Sequence, residues 1–519
     1  MPTEPTPPPG PPAASWRRTS FALAGLLLVL SLPDLLSTPV SPTIVRQTQT
    51  FSQTRHFVAA GYSPAGLTLD IDGPKPFHVV HEFPLYQAAA GALFQLFGPA
   101  FFWGKLVSLA ATLAGFWLAL QLARGQWGEA VASHAGFFFA ASPITLLVSA
   151  AFQPDALALA LGAAAALSLV LWRAQPSFSR WLGFLLLLLT AALAKFTVLV
   201  PFLPLLVAGT FHRQGRWRSP TLREWLAAAG LFVAPFVAWN LYRTTLIDPR
   251  YLTTERAMFF IGDLTRFLRP AYYVKPAFIL GAMVLCGAGA PLAVLGLRGL
   301  RGPARLMFWG LPVYFILLPT AADQTYYAWP LVPVLVLLAA RGALRLEARF
   351  DTARVRVAGV IAVAWLGGFA VAAPYTLRHD QVSLAAATAV RAASHEGDLV
   401  FVMNMHDRGV GIGGFNPAIL TLAGRRGWNV QFNRPDLADL RAQIRNRRAE
   451  GARWLVLTWF TPDLDPWFAG ALPASFSRCP RTPEGPVDGR AIASALARDY
   501  PAVTGGANFT VLDLGPAAP

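Results

Sequence analysis

Acids, bases and cations able to act on one substrate are concentrated in a single stretch, Val40 to Phe97. It holds Arg46, Arg55, His56, Asp70, Asp72, Lys75, His78, His81 and Glu82 in a chain that is only 13% charged. A carboxylate that takes a proton from a hydroxyl, beside cations that stabilise a departing phosphate, is the equipment of group transfer. Glu82 stands just before Pro84 and the apolar run Leu85 to Phe97, where a loop turns back towards a membrane boundary; the other reading of it is a helix N-terminal residue favoured by the dipole. Asp70 and Asp72 flank Ile71 ahead of Gly73-Pro74, which predicts a short extended segment and a turn, with both acids on one face. Of the two, Asp70 reads as a solvated turn residue. His56, His78 and His81 lack the spacing of a helical zinc motif, so a divalent metal is not favoured.

Outside this stretch the candidate phosphate ligands are Lys105, Lys195, Arg256, Arg266, Arg269 and Lys275. Lys195 interrupts an apolar run, where a cation needs either a buried partner or a route to water, so it is a phosphate ligand or the outer turn between two short helices. Arg266 and Arg269 lie one turn apart if the segment is helical and would then share a cationic face; the other reading is an ordinary interfacial anchor next to Phe267. Asp155 opens an apolar run behind a proline, the place of a helix cap first and of a site acid second. Tyr326, Tyr327 and Trp329 fit an interfacial aromatic belt or a contact with lipid or sugar.

What must position these residues is a membrane domain. The 519 residues are 55% hydrophobic, with 36 Phe and 16 Trp, and their apolar runs reach the roughly 20 residues that span a bilayer. An uncleaved first span follows Arg17 and Arg18, and ten more are expected at 102–122, 131–148, 154–172, 181–194, 196–211, 223–241, 276–298, 306–320, 326–344 and 357–374. Splitting 181–211 at Lys195 keeps the arginine-rich links on one side, the cytoplasmic one, and leaves the first loop and the C-terminus outside. The +16 net charge therefore orients the chain and does not indicate nucleic acid. Cys286 and Cys479 form neither a disulfide framework nor a metal cluster.

Three regions follow: a proline-rich cytoplasmic tail (1–16), a multi-span domain (17–375) with a first extracytoplasmic loop at 38–101, and a soluble α/β domain (376–519). In the last, 397–404, 452–460 and 507–514 read as strands and 436–451 as a charged helix.

Arg46-Gln47-Thr48-Gln49-Thr50, Asp72, Glu82-Phe83-Pro84-Leu85-Tyr86 and Leu96-Phe97-Gly98 together resemble the first extracytoplasmic loop of polyprenyl-phosphate-dependent membrane glycosyltransferases of the C type. That superfamily includes the protein O-mannosyltransferases and the aminoarabinose transferases of lipid A. Gln153-Pro154-Asp155, Lys195, and Asp323 with Tyr326-Tyr327-Ala328-Trp329-Pro330 extend the resemblance over most of residues 20–375, and Gly424 to Trp428 resembles a bacterial branch.

The resemblance implies a mainly α, polytopic inner-membrane protein with a small extracytoplasmic α/β domain. It implies inverting transfer of a sugar from a polyprenyl-phosphate donor to an extracytoplasmic glycan, lipid or protein. Many relatives carry aspartate where this chain has Gln49, and glutamine cannot serve as a general base. The catalytic roles are therefore expected at Glu82, with Asp72 as helper and Arg46 orienting the loop, and the donor contacts at Lys195, Arg266, Arg269, Tyr326 and Tyr327. The alternatives are a lipid- or glycan-binding protein on the same scaffold and, against the lack of an inverted repeat, a transporter.

Overall fold

The computed structural model describes residues 13–39, 43–213, 216–217, 220–252, 268, 270–300, 302–318, 325–350, 353–376, 380–405, 416–431, 436–459 and 489–516. Arg256, Arg266, Arg269, Asp323, Cys479 and the tail as far as residue 12 lie outside them. The chain forms two compact units, one of Met1–Thr43, His81–Thr245 and Glu255–Arg378 and one of Ile44–Val80, Leu246–Thr254 and His379–Pro519.

The first unit is helical. Its opening helices are α1 (Ala13–Leu36), α3 (Leu85–Phe97), α4 (Phe101–Trp127), α5 (Glu129–Ala140), α6 (Pro143–Ser149), α7 (Asp155–Ala174), α8 (Phe178–Leu199) and α9 (Leu203–Phe211). Helix α1 begins within the stretch read as tail, and Trp16 is buried beneath the Arg124 guanidinium. Small residues let the rods approach closely, as expected where lipid supplies no hydrophobic drive. A Cβ on Gly296 would fall 2.0 Å from the Leu338 carbonyl oxygen, and one on Gly342 would fall 1.9 Å from that of Leu292. The helices Gly289–Leu297 and Val332–Arg349 therefore meet backbone to backbone.

Seven of the described helices are long and apolar enough to cross a membrane, or nine if the bent pairs Glu129–Ala140 with Pro143–Ser149 (68°) and Tyr272–Val284 with Gly289–Leu297 (102°) each count. The run Phe178–Phe211 enters that count as one span, yet it doubles back. Lys195 has non-helical dihedrals, φ −170° and ψ 99°. Along α7 the run starts at Trp172, where Trp181 packs at 4.6 Å, and climbs to Asp155, which bonds Lys195. It then descends, because Leu199 borders Gly162 and Gly209 borders Leu169. One extended residue has turned a 34-residue apolar run into a hairpin. The split expected at Lys195 is thus present, while the described helices that qualify as spans number seven to nine against the eleven expected from the sequence.

The second unit is a seven-stranded sheet in the order β2-β1-β6-β5-β7-β9-β8. Its strands are β1 (Thr68–Gly73), β2 (Lys75–His78), β5 (Leu399–Met405), β6 (Arg426–Gln431), β7 (Ala452–Trp459), β8 (Ala502–Gly506) and β9 (Phe509–Asp513), while β3 (His212–Arg213) and β4 (Arg216–Trp217) form a separate ribbon. Strands β5, β6 and β7 are parallel, as their helical crossovers require, and the flanking pairs are antiparallel. The strands expected at 397–404, 452–460 and 507–514 and the helix expected at 436–451, here Leu437–Ala449, are all present.

The β1–β2 hairpin turns at Gly73-Pro74 and joins the sheet edge through Asp72↔Trp428 and Gly73↔Gly427. Gly73 has φ +67°, and a Cβ there would lie 2.3 Å from the Trp428 ring, so only glycine fits. Polar helix α2 (Ile44–Ala59) belongs to this unit and buries Arg46, Gln47, Thr48, Gln49 and Thr50.

Candidate active site

The break at Lys195 builds the polar centre of the helical unit. Asp155 is the first residue of α7, behind Pro154, where the positive end of the helix favours a carboxylate. Its two oxygens each accept a 2.9 Å hydrogen bond from Lys195 Nζ, and the two residues are only 1% and 5% exposed. Lys195 thus stands at a turn between two helical segments, but it is buried and does not reach water. Tyr326 and Tyr327 stack on each other at 4.7 Å in the 3-10 turn Thr325–Leu331. Their ring centroids lie 5.3 and 5.4 Å from Nζ, in reach of cation–π attraction. Tyr314 donates to the Tyr327 carbonyl at 2.8 Å and fixes the turn. An ammonium has three N–H donors, and Asp155 takes two. Two residues before Asp155, the Gln153 side chain is fully buried, and neither its Oε1 nor its Nε2 has a partner among the described residues. Buried polar atoms are normally paired, so this amide has donor and acceptor capacity to spare.

Glu82 belongs to the same unit and the same end of it. The Phe83 amide donates to the Leu193 carbonyl at 3.0 Å, two residues before the break. Arg243 donates to the His81 carbonyl at 2.8 Å, and Phe83 packs edge-on against Trp239 at 4.8 Å. The residues on both sides of Glu82 are therefore pinned. The helix-cap alternative fails, because α3 starts at Leu85 with Pro84 as its N-cap and has no acid in its first turn.

The opposite end of the helical unit carries the arginine-rich links. Arg124 pairs with Glu129 at 2.8 Å, and Arg180 donates to the Leu171 and Gln175 carbonyls. His134 and Arg354 both reach Glu347, at 2.7 and 3.4 Å.

Arg46 and Asp72 lie in the sheet unit. Arg46 is buried on α2. Asp72 accepts from Arg250 at 2.8 Å, and the same Nη2 also bonds Asp248 at 2.8 Å. The Arg250 hydrogen bond, helped by its charge, outweighs slight burial and holds the Asp248 carboxyl below its usual range.

Asp70 is not the solvated turn residue expected. It is completely buried in β1, ringed by Arg55, by His56 at 2.9 Å, by Arg426 at 3.3 Å and by the Ser52 hydroxyl at 3.4 Å. Burial disfavours its charge, but the hydrogen bond from His56 and the cations around it prevail and keep the carboxyl below its ordinary range. A shift in register between Leu69 and Asp72 accompanies the different partners of the two acids. Among the described residues no three His, Cys, Asp or Glu side chains converge as a metal ion would require.

A bundle of broken, apolar helices joined in one chain to a mixed sheet unit is the fold of the C-type membrane glycosyltransferases. The chain is a multi-span membrane protein of that fold. Residues 76–239, which include Glu82, Asp155 and Lys195, match the family model described as dolichyl-phosphate-mannose-protein mannosyltransferase. Among solved structures, ArnT from Cupriavidus metallidurans bound to undecaprenyl phosphate is similar at 13% identity and TM-score 0.58, over 96% of this chain and 98% of that one. The oligosaccharyltransferase AglB from Archaeoglobus fulgidus, in complex with an inhibitory peptide and a dolichol-phosphate, is similar at 11% identity and TM-score 0.52, over 86% and 69%. No curated protein matches the chain.

Proposed function

We propose that this protein transfers a sugar, with inversion, from a polyprenyl-phosphate-linked donor to an extracytoplasmic glycan, lipid or protein acceptor. The observation that carries the reading is the Asp155–Lys195 pair at the helix break, flanked by the unsatisfied Gln153 amide, the paired tyrosines and the pinned Glu82 segment. The donor phosphate takes the third N–H of Lys195 and a hydrogen bond from Gln153 Nε2. Tyr326 and Tyr327 cover the lipid or the sugar. Asp155 holds the ammonium in place.

Glu82 takes the proton of the acceptor hydroxyl as it attacks the anomeric carbon, and the polyprenyl phosphate leaves as an anion stabilised by Lys195. Arg266 and Arg269 are assigned to the same phosphate. The fold relatives support the donor class, since ArnT was solved with undecaprenyl phosphate and AglB with a dolichol-phosphate. In this reading the arginine-rich end is cytoplasmic and the Lys195 end and the C-terminal domain are outside, which the positive-inside bias supports.

The test is release of labelled sugar from a polyprenyl-phosphate sugar in proteoliposomes, wild type against E82Q. Turnover by the wild type that E82Q lowers while donor binding persists supports the reading; equal turnover refutes Glu82 as the base. A second reading rests on Gln49, neutral and buried on α2: the chain binds donor lipid without turning it over.

A further inference from the structure

Among α4, α5, α7, α9 and the helix Val332–Arg349, the helical unit holds a cavity of about 560 Å³, within the range of ligand sites. Its lining includes the small residues Gly136, Ala163, Ala166 and Gly209. The lining is apolar except for Gln126 and Arg173, which lie with Trp127 at the C-terminal ends of α4 and α7. This is the arginine-rich end, away from Lys195. The neighbouring arginines are occupied: Arg124 lies over Trp16 and bonds Glu129, and Arg180 holds backbone carbonyls. Arg173 is exposed and has no partner among the described residues.

An apolar cavity whose polar lining residues, a guanidinium and an amide, stand together with a tryptophan at one end matches the two halves of a lipid. A small anion would leave the chamber unfilled, and a neutral apolar molecule would leave Arg173 unmatched. The donor lipid is a poor fit, because its phosphate is assigned to the opposite end of the unit. Basic pockets between spans on the cytoplasmic side take anionic headgroups, and tryptophan sits at headgroup level.

We propose that the cavity holds one acyl chain of an anionic phospholipid from the leaflet at the arginine-rich end. Its headgroup phosphate sits on Arg173, and Gln126 supplies a further hydrogen bond. The site is separate from the donor site, and neither Arg173 nor Gln126 has a part in the transfer.

The test uses the purified full chain, delipidated in detergent and offered equal amounts of dioleoyl phosphatidylglycerol and dioleoyl phosphatidylcholine, with retained lipid counted by native mass spectrometry. The wild type is expected to keep one phosphatidylglycerol, with about fivefold preference over phosphatidylcholine, the effect of one arginine near a lipid surface. R173Q, a change at an exposed position that leaves packing intact, should abolish the preference. A166F, which fills the chamber, should lower retention of both lipids. Equal retention of the two lipids by the wild type overturns the proposal. So does a preference that survives R173Q, or one-for-one displacement of phosphatidylglycerol by undecaprenyl phosphate.

Discussion

Replacing Lys195 by methionine keeps length and removes charge, but on its own it would mislead. Asp155 is 1% exposed and both of its oxygens are bonded to Nζ, so K195M strands a buried carboxylate. Breaking such a pair from one side typically costs about 3–5 kcal/mol of stability. D155N strands the ammonium in the same way. The informative protein is the double variant, whose site is neutral: it should recover most of the stability lost, with a coupling of at least ~2 kcal/mol in the thermal-unfolding cycle.

Donor affinity then separates structure from function. If Lys195 holds the phosphate, the folded double variant loses one charge-assisted hydrogen bond, about 1–3 kcal/mol, or roughly 5- to 150-fold in the dissociation constant for undecaprenyl phosphate. D155N, where it folds, retains the ammonium and should retain binding. A stable double variant that binds undecaprenyl phosphate within about twofold of wild type would refute the assignment and leave Lys195 as the fastening of a hairpin.

E82Q at saturating donor and acceptor should lose roughly 10²- to 10⁴-fold in rate with donor affinity unchanged, and D72N much less. Activity appearing only in Q49D would instead favour the binding-protein reading. D70N leaves Arg55, His56 and Arg426 around a neutral amide and should destabilise the sheet unit by about 2 kcal/mol, below the value for a fully buried pair because these cations are partly exposed. The Asp70 carboxyl titrates below its unfolded value, so its contribution is present above about pH 4, lost as pH falls through its lower folded value, and absent in D70N. Hydrogen exchange in β5 and β7 across that acid range measures it. Single cysteines at positions 216 and 354 should be shielded from an outside-only label in intact cells while those at 82 and at the exposed position 503 of the sheet unit react; labelling at 216 would reject the eleven-crossing topology.

The parts of this fold that were legible in the sequence are those written in local contrast. Lys195 stands out because one cation interrupts an apolar run, and the need to keep the arginine-rich links on one side made that interruption the place to expect the split. Its partner was not legible as a partner, since Asp155 lies 40 residues away and looks locally like a helix cap. Gln153 was visible only as part of a motif; its burial is a property of the packed helices. Asp70 was misread because Gly73-Pro74 beside it suggests a surface turn, while the groups that bury it come from α2 and from Arg426. Strand β6 escaped notice because it lies beside Gly424 and contains Gly427. That second glycine is needed where a Cβ would meet the Val400 carbonyl at 1.7 Å.

The β1–β2 hairpin has a consequence for how the protein is made. Pro74 and Arg426, which bond across the β1–β6 edge, are 352 residues apart in the chain. At 5–20 residues per second, the ribosome needs roughly 20–70 s to deliver β6 after β1 has emerged. Throughout that time β1 has no neighbour on one side, and the buried carboxylate of Asp70 lacks Arg426. An unpaired strand edge is a template for the wrong partner. The short length of β1, the exposed Lys75 at its turn and the early arrival of Arg55 and His56 from α2 therefore act as temporary guards. Membrane insertion of nearly every helix precedes completion of the sheet, and a newly made chain is most exposed to misassembly in the interval between them.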